Sequence, residues 1–346
     1  MFSKIFSQKP RIKTRILCID GGGVRGIVAA TMLAYLEKKL QQFSDNPNAR
    51  IVDYFDLFSG TSTGALIIAG LLMPDQKNGR PKYTADNLVD LYLKNAKNIF
   101  NSSFLQGIKS VSGLLDVKYN SQGVNLLYQQ YFGHCQLKEL LKPCLIPSYD
   151  LTLGKNYFFR QHKAVVSDSH NYHLADVLRA ATSAITYFPP AKIATVNGKK
   201  SCCFVDGGVF AVNPSLSAYA EFRYLYPGFY SENTMMLSLG TGKQDTYLDC
   251  DDIEHWGAVE WRDPGSNLLT TAQSFAVDYQ LKAVYDSKPN YLRLNPNIDK
   301  LHTASLDNSE DDYLDFLHQL GKQTCINEKE KLDNFAKSLI NSSKIL

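Results

Sequence analysis

The 346-residue chain is long enough for one large domain or two ordinary ones, and 44% hydrophobic with 21% charged residues is a globular composition. Its 37 basic and 34 acidic side chains are dispersed and leave a net charge of +3, which argues against nucleic acid as a partner. Seven scattered cysteines without paired CxxC spacing argue against structural zinc and a disulfide framework, and favour a reducing compartment.

No segment has the character of a signal peptide or a membrane span. Residues 1–15 are basic but not apolar, and the longest apolar run, residues 65–73, is far shorter than the roughly 20 residues that a span requires. We therefore expect a cytoplasmic protein that contacts membranes only at their surface. Delivery to a host cell by a dedicated secretion system stays open, because such export signals need not resemble signal peptides.

The first 75 residues predict strand, glycine-rich loop, helix, strand, sharp turn and helix. Residues 15–20 and 51–58 are strand-like, whereas residues 27–40 have apolar side chains at helical spacing and residues 65–72 continue as a buried helix. This alternation predicts an α/β fold, a three-layer sandwich in which helices cover both faces of a central, mostly parallel sheet.

The downstream pattern is less regular. Residues 84–100 predict an amphipathic helix capped by Thr84. Residues 101–118 mix apolar and small polar side chains, which fits a mobile lid or a loop with a short helix. Asn197-Gly198 lies between two strand-like runs and predicts a hairpin. Residues from 311 onwards are mostly helical and charged.

The first candidate for chemistry is the sequence Gly60-Thr61-Ser62-Thr63-Gly64, between a predicted strand and a predicted helix. That context is the one a nucleophile elbow requires, because the glycines permit a strained turn that projects the Ser62 hydroxyl above the sheet edge. The helix that follows directs its N-terminal amides and dipole towards a reacting carbonyl.

The second candidate is the glycine-rich run from Asp20 to Gly26, with Gly21, Gly22 and Gly23 followed by Arg25. Its G-x-G-x-x-G spacing also fits a dinucleotide fingerprint. Unobstructed amides at a helix N-terminus serve equally to bind a developing oxyanion, and we favour this second interpretation. Arg25 would supply positive potential for an anionic head group, or would pair with a nearby carboxylate.

The third candidate is Asp206, which is followed by Gly207 and Gly208 at the end of a predicted hairpin strand. Glycines behind a carboxylate let it pack closely against another loop. A carboxylate within hydrogen-bond reach of Ser62 could take the serine proton directly.

Together the three motifs, DGGGVRG, GTSTG and DGG in that order, resemble the patatin-like phospholipase family. The resemblance runs from about residue 16 to about residue 242, and the last hundred residues match no family that we can name. Further stretches carry the same resemblance: Asp53-Tyr54-Phe55-Asp56, Ala181-Thr182-Ser183-Ala184, Tyr187-Phe188-Pro189-Pro190, Asn213-Pro214 and Leu237-Ser238-Leu239-Gly240-Thr241-Gly242.

The resemblance implies a Ser–Asp dyad that hydrolyses lipid acyl esters through an acyl-enzyme intermediate, without calcium, another metal or a cofactor. Ser62 would be the nucleophile, Asp206 the base, and the amides of Gly21, Gly22 and Gly23 the oxyanion hole. The remaining motif residues would support this geometry: Arg25, Gly26, Gly60, Gly64, Gly207 and Gly208. The expected substrate is a phospholipid or another acyl lipid at a membrane surface.

No internal repeat, low-complexity tract or linker divides the sequence. We therefore predict an N-terminal extension at 1–13, a patatin-like catalytic domain at 14–245 and a mainly helical C-terminal extension at 246–346 packed on that domain. Other interpretations stay open. A non-specific lipid esterase, a galactolipase or a thioesterase would use the same residues. An effector switched on by a protein or small molecule is a further alternative, as is a nucleotide binder without hydrolysis.

The α/β-hydrolase fold uses the same elbow, but it would require a catalytic histidine after Asp206. His255, His302 and His318 are available there, yet none lies in a glycine-flanked loop. We expect each of them to be a surface or structural histidine.

Overall fold

The computed structural model describes residues 14–100, 121–133, 135–244, 248–286, 289–302 and 304–343. Ten strands fall in these ranges. They are β1 Thr14–Ile19, β2 Leu57–Gly60, β3 Cys144–Asp150, β4 Lys155–Arg160, β5 Ala191–Ala194, β6 Ser201–Asp206, β7 Thr234–Leu239, β8 Lys243–Gln244, β9 Tyr291–Leu294 and β10 Asn297–Ile298. The helices are α1 Gly26–Ser44, α2 Thr63–Leu72, α3 Ala85–Phe100, α4 Gln122–Phe132, α5 Gln161–Val166, α6 Leu174–Ala181, α7 Ser215–Leu225, α8 Cys250–Ile253, α9 Ala258–Val284, α10 Asp311–Asn327 and α11 Lys329–Ser343.

Eight of the strands form one central sheet in the order β5-β6-β3-β2-β1-β7-β9, with β4 paired to β3 beside this path. The pairs β2–β3, β2–β1, β1–β7 and β7–β9 are parallel, and the pairs made by β4, β5 and β6 are antiparallel. The predicted fold class, an α/β sandwich with a mostly parallel sheet, is therefore confirmed.

Strand β1 shows why the sheet is covered on both faces. Leu17 and Ile19 point into the larger apolar core with α1 and α2. Ile16 and Cys18 point the other way, into a second core with Phe222 of α7 and other residues of α7 and α9. Alternate side chains of a strand point to opposite faces, so an uninterrupted apolar strand requires a helical layer on each side.

Residues 246–346 supply one strand of the central sheet and several of the helices around it. Strand β9 extends the central sheet beside β7, and α10 and α11 pack against α1. The predicted helical character after residue 311 is confirmed. The domain boundary at residue 245 stays a prediction.

The local predictions include a capped helix, a hairpin and a strand over residues 51–58. The helix capped by Thr84 is confirmed, since the Thr84 hydroxyl accepts a hydrogen bond from the Asn87 amide. The hairpin is also confirmed, and Gly198 adopts φ +69° in its turn. Residues 51–58 are not a single strand, because the Asp53 carboxylate accepts the Arg50 amide and closes a 3-10 turn before β2 begins at Leu57.

The predicted lid and the predicted lack of a membrane span concern two further segments. The stretch at 101–118, predicted as a lid or loop, lies outside the described residues. Among the helices that the structure describes, none combines the length and apolar character needed to cross a bilayer.

Candidate active site

Ser62 lies in the two-residue turn between β2 and α2, directly before the first residue of α2. Its backbone adopts φ +54° and ψ −118°, a region that non-glycine residues seldom occupy and that costs of order 1–3 kcal/mol. The turn is held by the Gly64 amide, which donates to the Thr61 carbonyl at 2.7 Å, and by the Thr61 hydroxyl, which donates to the Ala211 carbonyl at 2.6 Å. This strained backbone is the geometry predicted for a nucleophile elbow. Ser62 is half-buried at the apex of the turn.

The two glycines of the elbow are required by close packing. A Cβ atom on Gly60 would overlap the carbonyl of Gly64, and a Cβ on Gly64 would overlap the carbonyl of Ile19. Both contacts are to backbone atoms, which cannot move aside as a flexible side chain would. Gly60 and Gly64 therefore allow the elbow to lie directly against the end of β1, as predicted for supporting residues.

Asp206 reaches Ser62 because of the sheet register. Ser59 of β2 pairs with Leu145 of β3, and Ser148, three residues further along β3, pairs with Asp206 of β6. Ser62 is likewise three residues beyond Ser59, so both side chains lie at the same height along the sheet. The Ser62 hydroxyl lies close enough to the Asp206 carboxyl to lower its pKa as a hydrogen-bond donor.

The surroundings of Asp206 are dry and hold no neutralising cation. Its side chain is 5% exposed, and no ion pair involves it in the part of the chain that the structure describes. Burial raises the pKa of the Asp206 carboxyl to about 6, although the Ser62 hydroxyl and the Gly208 amide oppose this by donating to it. A carboxylate with this raised pKa is a stronger proton acceptor than an ordinary surface aspartate.

The backbone around Asp206 is fixed from two sides. Gly207 packs so closely on Pro147 that a Cβ there would lie 2.5 Å from the Pro147 carbonyl carbon. The Asp206 amide donates to the Ser183 carbonyl at 3.0 Å. Arg179 holds that turn, since its guanidinium donates to the Ser183 hydroxyl and, at 2.7 Å, to the Pro189 carbonyl.

Sequence reasoning assigned no role to Arg179. It also gave Ser183 none, although it quoted the Ala181–Ala184 stretch. The sequence feature that could have linked Arg179 to Ser183 is their spacing, since residues four apart on a helix lie on the same face. An arginine one turn before a Thr-Ser pair would have indicated a turn held by side-chain hydrogen bonds, but not that this turn supports Asp206.

The three glycine amides predicted for the oxyanion hole are not equivalent. Gly21 lies beside the nucleophile, since a Cβ on it would be 3.5 Å from the Ser62 Cβ, but its amide already donates to the Val212 carbonyl at 2.9 Å. Among the described residues, the amides of Gly22 and Gly23 make no hydrogen bond. The geometry therefore narrows the predicted donors to Gly22 and Gly23.

The glycine loop is covered by distant segments. A Cβ on Gly22 would overlap Thr241, and one on Gly23, where φ is +58°, would overlap the Leu306 carbonyl. That same carbonyl accepts the Val24 amide at 2.9 Å. Because this amide of the first helical turn is occupied, the loop is less suited to a dinucleotide pyrophosphate than its sequence spacing suggests.

Gly26 and Arg25 complete the predicted set. Gly26 begins α1 against α2, where a Cβ would overlap the Thr63 hydroxyl. Arg25 is buried, and within the described ranges it pairs with no carboxylate; its Nε atom has no hydrogen-bond partner. The alternative in which Arg25 pairs with a nearby carboxylate is therefore wrong for the described residues.

Within the described residues, no hydrogen bond or ion pair joins His255, His302 or His318 to Ser62 or Asp206. The Asp206 carboxyl is hydrogen-bonded by Ser62 and Gly208. His318 contacts the Thr31 hydroxyl at 2.9 Å, and His302 pairs with Asp299 at 2.7 Å. Over the residues that the structure covers, no cluster of three or more His, Cys, Asp or Glu side chains could hold a metal ion.

Comparison with known proteins agrees with this geometry. Residues 17–219 match the family model described as patatin-like phospholipase. Patatin group A-2 of Solanum tuberosum is 31% identical over 358 aligned positions, which cover 95% of this chain and 90% of that protein. Patatin-2-Kuras 3 of the same plant is 32% identical over 359 positions, with the same coverage.

Among solved structures, the crystal structure of VipD from Legionella pneumophila aligns with 90% of this chain and 67% of that one, at 12% identity and a TM-score of 0.41. The family assignment depends on the sequence matches, which extend across nearly the whole chain. The chain belongs to the patatin-like phospholipase family.

Proposed function

We propose that this protein hydrolyses acyl esters of phospholipids through a Ser62–Asp206 dyad. The observation that carries the proposal is the approach of Ser62, on its strained backbone, to the buried Asp206 carboxyl, whose pKa is raised to about 6. A serine hydroxyl needs an adjacent base to become an effective nucleophile. Asp206 meets that need without an intervening imidazole.

The reaction would proceed in two halves. Ser62 Oγ attacks the ester carbonyl while its proton passes to Asp206, and the resulting oxyanion accepts hydrogen bonds from the amides of Gly22 and Gly23. The intermediate collapses, the ester C–O bond breaks, and the alcohol leaves with the proton from Asp206. Asp206 then takes a proton from water as the water attacks the acyl-enzyme, and Ser62 is reprotonated when the fatty acid is released.

Two exposed apolar side chains lie close in sequence to the site residues. Val209, three residues after Asp206, and Ile185, two residues after Ser183, are large apolar side chains that remain exposed, at 43% and 56%. Exposed apolar side chains favour contact with acyl chains or a lipid surface, and the family match supports a lipid over a small polar ester. We therefore expect contact with a membrane surface during catalysis.

The test is lipid mass spectrometry on mixed phospholipid vesicles, combined with labelling by a fluorophosphonate probe. Ser62→Ala removes the nucleophile, and we expect fatty-acid release to fall by at least about 10⁴-fold and labelling to disappear. The matched control is Ser59→Ala, three residues earlier, where the buried hydroxyl only donates to the Leu145 carbonyl. Labelling that survives in Ser62→Ala would contradict the proposal.

A further inference from the structure

Helix α9 turns an apolar face to solvent over about four turns. We name this face the α9 stripe, and it consists of the exposed residues Leu268, Leu269, Ala272, Phe275, Ala276, Tyr279 and Ala283. Their spacing follows the helical period, so they form one continuous face about 22 Å long. A surface helix normally directs its apolar face to the core and its polar face to water. Helix α9 departs from that rule, which indicates a contact surface.

The stripe is large for a face that is left in water. Its four large side chains, Leu268, Leu269, Phe275 and Tyr279, are between 44% and 77% exposed. Because large apolar side chains each have about 150–250 Å² of surface, the four together present on the order of 500 Å². That area lies within the roughly 300–600 Å² of the largest apolar patch on a typical monomer, which is often a binding site.

Two contacts of the buried side of α9 show how the helix runs along the sheet. Near one end, the Ser274 hydroxyl donates to Asp20 at 3.2 Å, directly after β1 and at the sheet edge that carries Ser62. At the other end, the Tyr285 and Thr234 hydroxyls share a hydrogen bond at 2.6 Å, where β7 begins. The stripe therefore extends down the flank of the sheet. A bilayer that rests on the Ser62 edge would contact only one end of it.

The order of large and small side chains along the stripe fits an antiparallel copy of the same helix. A twofold axis that passes between Phe275 and Ala276 brings each large side chain opposite an alanine of the second copy. These pairings are Phe275 with Ala276, Tyr279 with Ala272, and Leu268 with Ala283. In a twofold interface each pairing occurs twice, because both copies use the same surface. Large side chains that fill the space above small ones give the interlocked packing of helix pairs.

The charged border of the stripe also fits this arrangement. Lys282 borders the stripe, and its ammonium pairs with Asp278 of the same helix at 2.7 Å. The proposed axis holds the Lys282 residues of the two copies about 20 Å apart along the helix, beyond the screening length of about 8 Å at physiological ionic strength. A helix that lies on a membrane surface is instead rich in basic residues on its polar face. A second copy therefore fits the stripe better than a bilayer does.

We propose that this protein forms a twofold homodimer through the α9 stripe. The axis reverses the direction of the helix, so the sheet edges that carry Ser62 point in opposite directions in the two copies. Only one copy of the dimer can then rest its Ser62 edge on a given flat bilayer.

The size of the stripe sets the expected strength of the dimer. Specific interfaces begin at about 600 Å² of buried surface per partner, and the stripe with its polar border comes close to that value. We therefore expect a dimer that dissociates on dilution, with a dissociation constant in the range of about 1–100 μM.

The first experiment is sedimentation equilibrium of the full-length protein from about 1 to 200 μM, a range that brackets the expected dissociation constant. We expect the average mass to rise from that of one chain towards that of two. The variant Ala276→Glu brings two like charges together at the axis, and its association should be at least about tenfold weaker. The matched control is Ala220→Glu on α7, where the alanine is also exposed, and it should associate like the parent.

The second experiment tests the register of the two helices by mild oxidation. In Ala276→Cys the two new thiols lie beside the axis, within reach of a disulfide, which requires Cα atoms less than about 7 Å apart. Ala283→Cys changes the same stripe, but its two copies lie about 22 Å apart along the helix. We expect a covalent dimer from the first variant and none from the second. The exposed Cys250 is present in both and measures the background.

The contrary outcomes are equally clear. A parent that stays monomeric up to about 200 μM, or an Ala276→Glu variant that associates like Ala220→Glu, overturns the proposal. Equal cross-linking of the two cysteine variants overturns the antiparallel register. A monomeric parent that binds phosphatidylcholine vesicles, with binding lost in Ala276→Glu, assigns the stripe to a bilayer instead. None of these measurements requires hydrolysis, so their failure is distinct from a failure of the Ser62 assignment.

Discussion

Two buried aspartates at strand ends show how surroundings decide what a carboxylate can do. Asp20 follows β1 and makes a two-pronged ion pair with Arg293, with Ser274 donating a further hydrogen bond at 3.2 Å. Asp206 ends β6 and has Ser62 and Gly208 as donors, with no cation beside it. The first carboxylate is neutralised and holds elements together, whereas the second retains the capacity to accept a proton.

The pKa of the Arg293 guanidinium shows how an ion pair offsets the effect of burial. Burial lowers the pKa of the Arg293 guanidinium, but the Asp20 carboxylate raises it by more, so the net pKa lies above the ordinary value. The two-pronged contact joins the end of β1 to β9, and Arg293 also donates to Ser238 of β7 at 2.9 Å, while burial raises the pKa of the Asp20 carboxyl in spite of the guanidinium beside it.

The largest expected effect comes from exchanging each aspartate for its neutral isostere. Asp206→Asn should reduce fatty-acid release by about 10³- to 10⁴-fold, because it removes the proton acceptor and little else. Asp20→Asn should instead lower the free energy of unfolding. Initial rates and thermal unfolding of both variants measure the contrast. Substantial activity in Asp206→Asn would show that another group takes the proton.

The stability of Asp206→Asn gives that experiment a control. The folded pKa of about 6 lies above the ordinary aspartate pKa of 3.8, so the unfolded chain releases this proton first as pH rises. The carboxyl therefore contributes stability below about pH 4, which is lost as pH rises towards 6 and stays lost above it. An amide does not ionise, so Asp206→Asn should be at least as stable as the parent at pH 8.

The next effect tests the structural carboxylate. Arg293→Met leaves Asp20 buried without its partner, and removing one member of a buried ion pair costs about 3–5 kcal/mol. Denaturant unfolding should show this loss, and the double variant with Asp20→Leu should recover part of it, because no charge is then left unpaired. A neutral result for Arg293→Met would mean that the pair does not hold β9 in place.

The smallest effect is the pH profile of the parent enzyme. Because Asp206 must be ionised to accept the serine proton, kcat/KM on a soluble short-chain ester should rise with pH, level off above about pH 6 and fall about tenfold per unit below it. Rates between about pH 4.5 and 8.5 give the midpoint. A midpoint near the ordinary aspartate pKa would instead indicate a base in contact with water.

The sequence predicted the elements on which the site depends, because each has a local cause. Glycines flanking Ser62 indicate the elbow, and the apolar run before Asp20 indicates a strand buried on both faces. The contacts that adjust the site are not local. Val212 occupies the Gly21 amide, and Leu306 lies more than 280 residues after Gly23. No periodicity or motif indicates such long-range pairings. Only the structure could therefore show that the Gly21 amide, one of the predicted oxyanion donors, is already bonded and that the Leu306 segment covers the loop.

The same limit explains the error over residues 51–58. Their apolar pattern fits a strand, but the Asp53 carboxylate stabilises a turn with the Arg50 amide, and Arg80 then pairs with that carboxylate at 2.7 Å. A side chain that competes for backbone amides shortens the strand in a way that hydrophobicity does not reveal.

The contact of the Leu306 carbonyl with the glycine loop limits how this protein can be truncated or redesigned. It accepts the Val24 amide and lies against Gly23, so the residues that bound the reaction site come from both halves of the polypeptide. A fragment cut after the family match would leave the glycine loop without this partner. Transplanting the loop and elbow into another scaffold would therefore require the Leu306 segment as a third piece.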